Sequence, residues 1–339
     1  FCSEQGETMK ILVTGGAGYI GSHTIKNLLK EGFSVVILDN LSTGFIQPIE
    51  ILKKKFNRLE FVKADLKSKE QLDEIFLKRK IEAVIHFAAK VSVSESVKKP
   101  ELYYQENFIN SVNLLEAMTK AGVNKFIFSS SCVVYGTPEY VPVDENHPTY
   151  PESPYGQTKL DFEQYLAKVQ NLKYVIFRYF NVGGSDPEGL LGKANFKRED
   201  LIANIIKVAL GQSSKLCIFG DDYETPDGTA IRDFLHVEDI AKAHILALNK
   251  VDQIARETFN LGSENGFSVK EIVQKAREVI KKEIPTEIQE RRPGDIPISV
   301  ASAKKVKAVL GWQPLYSRLD TIIKTDWVWR KKNPFGYRV

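Results

Sequence analysis

At 339 residues, 43% hydrophobic and 27% charged, the chain can bury a sizeable core and is long enough for one large domain or two unequal ones. Lys and Arg number 47 against 43 Asp and Glu, a formal +4, and no like-charge run exceeds Lys53-Lys54-Lys55, which excludes a nucleic-acid tract or an acidic tail. No apolar stretch approaches the ~18–20 residues of a membrane helix, so no membrane partner is expected. Three scattered cysteines (Cys2, Cys132, Cys217) argue against a disulfide framework and fit a reducing, cytoplasmic setting. The histidines His23, His86, His147, His236 and His244 show no ligand spacing, so no metal site is expected. Residues 1–8 are polar, precede Met9 and lack the apolar core of a signal peptide; they read as a leader or cloning scar.

From Met9 onward, short apolar strands alternate with helical segments. Lys10 to Thr14 reads as a buried strand, Tyr19 to Glu31 as a helix closed by Gly32, and Ser34 to Leu38 as a second strand stopping at Asp39. Leu59 to Lys63 follows, then a helix opened by a Ser68/Gln71 capping box and running to about Arg79. Ala83 to Phe87, a helix from Leu102 to Ala121, and Lys125 to Ser129 continue the alternation, which indicates an α/β fold: a Rossmann-type, doubly wound parallel sheet.

Past Asn181 the alternation breaks. Gly183 to Lys197 and Asp221 to Asp233 read as polar loops; helices are expected at Asp200 to Leu210, Val237 to Asn249 and, behind a Ser268/Glu271 cap, to Lys281. The end of the chain reads as short helices and turns around Arg291 to Asp295. The expected division is residues 9–180 plus about 232–260 as the Rossmann domain, and 181–231 plus about 261–339 as a smaller, interleaved substrate domain over the strand ends.

The first turn, Gly15-Gly16-Ala17-Gly18-Tyr19-Ile20-Gly21, lies between a strand and a helix, the context in which glycines admit a dinucleotide pyrophosphate to a helix N-terminus. Asp39, at the end of the second strand, can accept from both ribose hydroxyls and would repel a 2′-phosphate, which favours NAD over NADP. Ser131 follows the strand that ends in the Ser129-Ser130-Ser131 run. Ser153 and Pro154 suit an N-cap and first helical position, so Tyr155 and Lys159 fall one turn apart on one face. Half-ionising a tyrosine near pH 7 takes a shift of ~3 units, or ~4 kcal/mol, and a neighbouring ammonium acts in that direction. Tyr155, Lys159 and Ser131 together make a hydride-transfer site: the tyrosine takes an alcohol proton while the serine holds the same oxygen.

This set resembles the extended short-chain dehydrogenase/reductase superfamily. The similarity narrows to the UDP-glucose 4-epimerase family at F-S-S-S-C-V-V-Y-G (Phe128 to Gly136), R-Y-F-N (Arg178 to Asn181), D-Y-E-T-P-D-G-T-A-I-R-D-F-L-H-V (Asp222 to Val237) and R-R-P-G-D (Arg291 to Asp295). It runs from Met9 nearly to Val339. The resemblance implies an isomerase that inverts C4 of UDP-hexoses through a transient 4-keto sugar with bound NAD. Carried over by motif, Gly15, Gly18, Tyr19, Ile20, Gly21, Asp39, Asn40, Asp65, Leu66, Phe87, Ala88 and Tyr179 belong with Tyr155 and Lys159 to the cofactor site. Phe180, Asn181, Phe219, Arg232, Arg292, Asp295 and Ser299 belong with Ser131 and Tyr155 to the UDP-sugar site. The resemblance also implies a homodimer, with Leu102 to Ala121 and Asp161 to Val169 as interface candidates.

Three positions depart from the family pattern. Lys90 falls one residue before the family's cofactor-contacting lysine position, at Val91, and is given no role. Glu106 stands where a cofactor-binding asparagine is common, and Asp200 where an asparagine often meets the diphosphate. Ser299, where a bulky tyrosine restricts some members to unsubstituted hexoses, would leave room for a 2-acetamido group and so for UDP-GlcNAc and UDP-GalNAc. A 4,6-dehydratase would need an Asp-Glu pair where Cys132 and Val133 stand. A UDP-glucuronate 4-epimerase and a noncatalytic NAD-binding sensor are the remaining alternatives, the latter expected to have lost part of the Ser-Tyr-Lys set.

Overall fold

The computed structural model describes residues 8–194, 200–292 and 294–337; the proposed leader, apart from Thr8, lies outside them. The chain opens β1 (Lys10–Thr14), α1 (Tyr19–Lys30), β2 (Ser34–Asp39), α2 (Ile46–Lys53), β3 (Leu59–Lys63), α3 (Lys69–Lys78) and β4 (Ala83–His86). It continues through α4 (Val93–Lys98) and α5 (Pro100–Tyr103) into α6 (Asn110–Lys120), then β5 (Lys125–Ser131), α7 (Pro154–Lys168), β6 (Lys173–Tyr179) and β7 (Asn181–Gly183). The remainder is α8 (Leu201–Ala209), β8 (Leu216–Phe219), β9 (Ile231–His236), α9 (Val237–Ile254), β10 (Arg256–Leu261), β11 (Gly266–Ser268), α10 (Val269–Ile280), β12 (Thr286–Gln289), β13 (Ile298–Ser299), α11 (Lys304–Leu310) and α12 (Leu319–Lys332).

Two compact units emerge, one of residues 1–133, 153–177 and 241–258, the other of 134–152, 178–240 and 259–339. Segments 134–152 and 232–240, assigned from sequence to the first domain, thus group with the second unit. The first unit is built on a seven-stranded sheet in the order β10-β6-β5-β4-β1-β2-β3. β3, β2, β1, β4 and β5 run parallel to one another. Because the chain steps outward from β1 to β3 and then returns to β4, the strand order reverses between β1 and β4, and a crevice opens at their carboxyl ends. Leu12, Val36, Val84, Phe126, Phe128 and Phe162 belong to one continuous core, each side chain adding roughly 1.5–3 kcal/mol on burial.

The second unit has its own core, where Ile202, Ile205 and Ile206 of α8 belong with Ile272 and Ala276 of α10 and Ile322 and Ile323 of α12. Its central strand is β9, flanked by β11 and β13 and paired further along with β7.

Several expectations need correction. The Ser68 hydroxyl accepts from Gln71 N, but the Gln71 side chain turns to the Asp65 amide, so only half of that capping box forms. The Ser268/Glu271 box is complete. The helix expected over Leu102 to Ala121 is interrupted by a π-helical turn, Tyr104–Ile109. Arg232 and Asp233 lie inside strand β9 rather than at a loop end, because the buried Asp233 carboxylate masks the strand's apolar alternation. The helix from Val237 runs on to Ile254, and the chain end holds a 14-residue helix, α12.

Candidate active site

The cofactor half begins at the glycine turn. Gly15 adopts φ +69°, and a Cβ there would fall 2.6 Å from the Ala88 amide nitrogen; a Cβ at Gly21 would fall 2.4 Å from the Gly15 carbonyl oxygen. Only glycine lets the turn, the first helix and the residues after β4 close to this distance. Helix α1 starts at Gly18 without a side-chain cap and without an acid in its first turn, so its positive end is left for an anion. The Asp39 carboxylate accepts from Ala17 N at 3.0 Å and Leu41 N at 2.8 Å, which aims it and leaves a lone pair on each oxygen for a ribose diol. Burial raises its pKa, against the pull of those two amides. Asn40 donates to Asp65 at 3.0 Å. These donors and glycines suit a dinucleotide.

A cleft lies there, and Gly15, Asp39, Asn40, Asp65, Leu66 and Ala88, which the sequence assigns to a cofactor, are among its lining residues. Ser42, Thr43, Lys90, Glu106 and Asn110 also line it and were missed or left without a role. The reason Lys90 and Glu106 arrive together is Asn107. Its side chain accepts from Lys90 N at 2.8 Å, donates to Lys90 O at 2.9 Å, and lies 3.3 Å from Thr158 Oγ1. The π-helical turn is what presents Asn107 inward, and helical periodicity carries no signal for it.

Beneath the cleft, Thr14 Oγ1 bonds His86 Nδ1 at 2.6 Å, His86 Nε2 bonds Ser111 Oγ at 2.8 Å, and Ser111 donates to Asn107 O at 2.6 Å. Since the Ser111 proton is committed to a carbonyl, His86 must donate from Nε2 and accept at Nδ1. Burial, and secondarily Lys159, push its pKa down to about 3, so the imidazole stays neutral.

The chemical half lies on β5 and α7. Ser153 caps α7 by accepting from Gly156 N at 3.1 Å, and Pro154 takes the first helical position. Tyr155 and Lys159 are then 7% and 3% exposed. Lys159 Nζ donates to the Ser129 carbonyl at 2.8 Å and lies 4.7 Å over the Phe128 ring. Ser131 ends the same strand, its Oγ accepting from Val133 N at 3.3 Å. Burial draws the Lys159 pKa down to about 7, with Glu163 opposing.

In the second unit, Arg292 Nε donates to Asp295 at 2.9 Å and its guanidinium lies 4.6 Å over the Phe219 ring, so three expected site residues form one group. Arg291 turns instead to Asp222, at 2.7 Å, and stacks 4.1 Å over Tyr223, which joins the two most specific sequence blocks. Pro293, between them in the motif, lies outside the described residues. Arg232 pairs in register with Ser299 across β9 and β13, and Asn181 pairs with Phe234 across β7 and β9. Asp233 holds this sheet in place, accepting from Ser263 N and Oγ, Glu264 N and Ala301 N. Tyr179 and Phe180 are buried at the end of β6. Arg178 explains the rest of its motif structurally, donating to the Tyr135 hydroxyl at 2.9 Å. Asp200 is the N-cap of α8, bonded to Ile202 N and Ala203 N and paired with Lys193. Burial alone would raise its pKa, but Lys193 and Arg330 hold it below the usual carboxylate range. Its charge is thus taken up within the protein, by the α8 amides, Lys193 and Arg330.

Known proteins resemble this chain over nearly its whole length. The family model described as GDP-mannose 4,6 dehydratase matches residues 12–325. The UDP-glucose 4-epimerase of Halalkalibacterium halodurans is 44% identical over 333 residues, covering 97% of this chain and 98% of that protein. The chain belongs to the UDP-glucose 4-epimerase family. Two solved structures of epimerases agree. That of the Stenotrophomonas maltophila UDP-glucose-4-epimerase with bound NAD and formylated UDP-arabinopyranose has a TM-score of 0.93 at 39% identity, over 96% of this chain and 99% of that one. The UDP-Glc/GlcNAc 4-epimerase of Campylobacter jejuni gives 0.85 at 40% identity, over 96% and 99%. The family model is named for a dehydratase, yet the turn after β5 carries Cys132 and Val133, and valine cannot move a proton. Among the described residues, no helix is long and apolar enough to cross a membrane.

Proposed function

We propose that this protein interconverts UDP-glucose and UDP-galactose by inverting C4 of the hexose through a transient 4-keto sugar. The observation that carries the reading is the buried Tyr155–Lys159 pair, its lysine anchored to the strand that ends in Ser131, in a chain of the epimerase family. NAD, when bound, supplies a reversible hydride acceptor. Gly15, Gly18, Tyr19, Ile20 and Gly21 would hold its pyrophosphate, Asp39 and Asn40 its ribose, and Asp65, Leu66, Phe87 and Ala88 its adenine side, with Tyr179 toward the nicotinamide.

Tyr155 takes the proton from the C4 hydroxyl and returns it to the opposite face's alkoxide; Lys159 favours the phenolate, and Ser131 hydrogen-bonds the same oxygen. UDP-sugar recognition falls to Phe219, Arg232, Arg292 and Asp295 for the nucleotide and Phe180, Asn181 and Ser299 for the sugar. Guanidinium forks suit a diphosphate. Purified protein given UDP-galactose without added NAD is expected to form UDP-glucose. A 4-keto-6-deoxy product would identify a dehydratase instead, and no product a sensor.

Ser299 is small and lies in register with Arg232, which supports acceptance of N-acetylated sugars. The expected result is turnover of UDP-GlcNAc by the wild type, lost in Ser299→Tyr while UDP-glucose is still converted. A wild type active on UDP-glucose but inert toward UDP-GlcNAc would refute this. We also read the protein as a cytoplasmic homodimer using α6 and α7; light scattering should give twice the 38.3 kDa chain mass.

A further inference from the structure

Helix α7 carries Tyr155, Lys159 and Glu163 at intervals of four residues, on one face and all buried, the last at 6% exposure. The chemistry described so far gives Glu163 no task. A carboxylate at that depth needs a donor and a counter-charge. Ser130 supplies the donor, its hydroxyl lying 2.5 Å from Glu163 Oε1. Ser130 is the residue between Ser129, whose carbonyl accepts from Lys159, and Ser131. Helix and strand are therefore laced by two adjacent rungs, Lys159 to Ser129 and Glu163 to Ser130.

The Lys159 ammonium lies one turn earlier on the same helical face, where Glu163 acts on it electrostatically. β4 presents the neutral His86 and β5 the Phe128 ring to Lys159, while α5 sets Tyr103, which donates to Glu95 of α4, edge-on to Tyr155. β6 presents Tyr174, with the Arg256 guanidinium of β10 5.8 Å over its ring. Burial weakens the ammonium, and the opposing pull comes from Glu163. Where Tyr155 and Lys159 hold one proton between them, whatever favours the charged lysine also favours the phenolate, and the ammonium beside it stabilises that charge.

We infer that Glu163, fixed by Ser130, is a positioning residue for epimerisation: it keeps the Lys159 ammonium charged and in place, so that Tyr155 is available as the phenolate. This rests on the epimerase reading, and wild-type turnover of UDP-galactose in the same assay tests that reading separately. Glu163→Gln retains an oxygen for Ser130 but removes the charge; Ser130→Ala retains the charge but frees the carboxylate. The pH profile of kcat is the readout, since losing the ammonium limits the alkaline side. Glu163→Gln should move the alkaline limb down by about one unit and lower kcat about tenfold above it, with KM little changed. Ser130→Ala should move it the same way by less. A folded variant of either kind whose limb stays at the wild-type pH, whether kcat is unchanged or uniformly reduced, would overturn the inference. Should Glu163→Gln fail to fold, Ser130→Ala decides alone.

Discussion

Tyr155→Phe is expected to lower kcat for UDP-galactose by about 10²–10⁴-fold, with KM within a few-fold of wild type and bound NAD retained. The change deletes one oxygen from a side chain that is 7% exposed and sits edge-on to Tyr103, with ring centroids 6.3 Å apart, so the ring's packing survives. What is lost is the only group proposed to carry the C4 hydroxyl proton. Lys159 cannot substitute, because its ammonium is spent on the Ser129 carbonyl and on polarising the phenol. The check is steady-state kinetics beside a thermal melt: an unchanged melting point with kcat collapsed isolates the chemistry. A Phe variant retaining wild-type kcat would remove Tyr155 from the mechanism.

How much of this site could be read in advance depended on the range of the contacts. The glycine turn, Asp39 and the Ser153 cap are local features, and each residue type there answers to backbone geometry within a few positions. The one-turn relation of Tyr155 and Lys159 was equally plain. Glu163 was missed although it extends the same spacing by one more turn, because its significance depends on Ser130, thirty-three residues away in sequence. Asn107 was missed for a different reason: its inward position depends on a π-helical turn within what reads as one amphipathic helix. Arg232 and Asp233 read as a loop end because strand patterns are recognised by apolar alternation, whereas Asp233 is buried by virtue of hydrogen bonds from residues 263, 264 and 301. The split roles of Arg291 and Arg292 likewise required knowing that Asp222 and Phe219 are their neighbours.

Gly15→Ala should cost NAD affinity at least about tenfold to 100-fold, by losing well-aimed hydrogen bonds to a charged group at roughly 1.5–3 kcal/mol each. Two penalties are combined at this position. The left-handed φ of +69° costs an alanine about 1–2 kcal/mol, and the new methyl would lie 2.6 to 2.9 Å from the backbone of Phe87 and Ala88. Backbone cannot swing aside as a side chain can, so the turn must move away from β4, and the helix N-terminus with it. Gly122 separates the two penalties: its φ is +76°, but nothing lies within 4 Å of a Cβ placed there. Gly122→Ala should therefore lose only those ~1–2 kcal/mol of stability and keep its cofactor. Nucleotide released by acid from each purified variant, quantified against protein and set beside the melting points, makes the comparison. Equal NAD content in the two variants would mean that the close approach of the glycine turn to β4 is not what shapes the cofactor site.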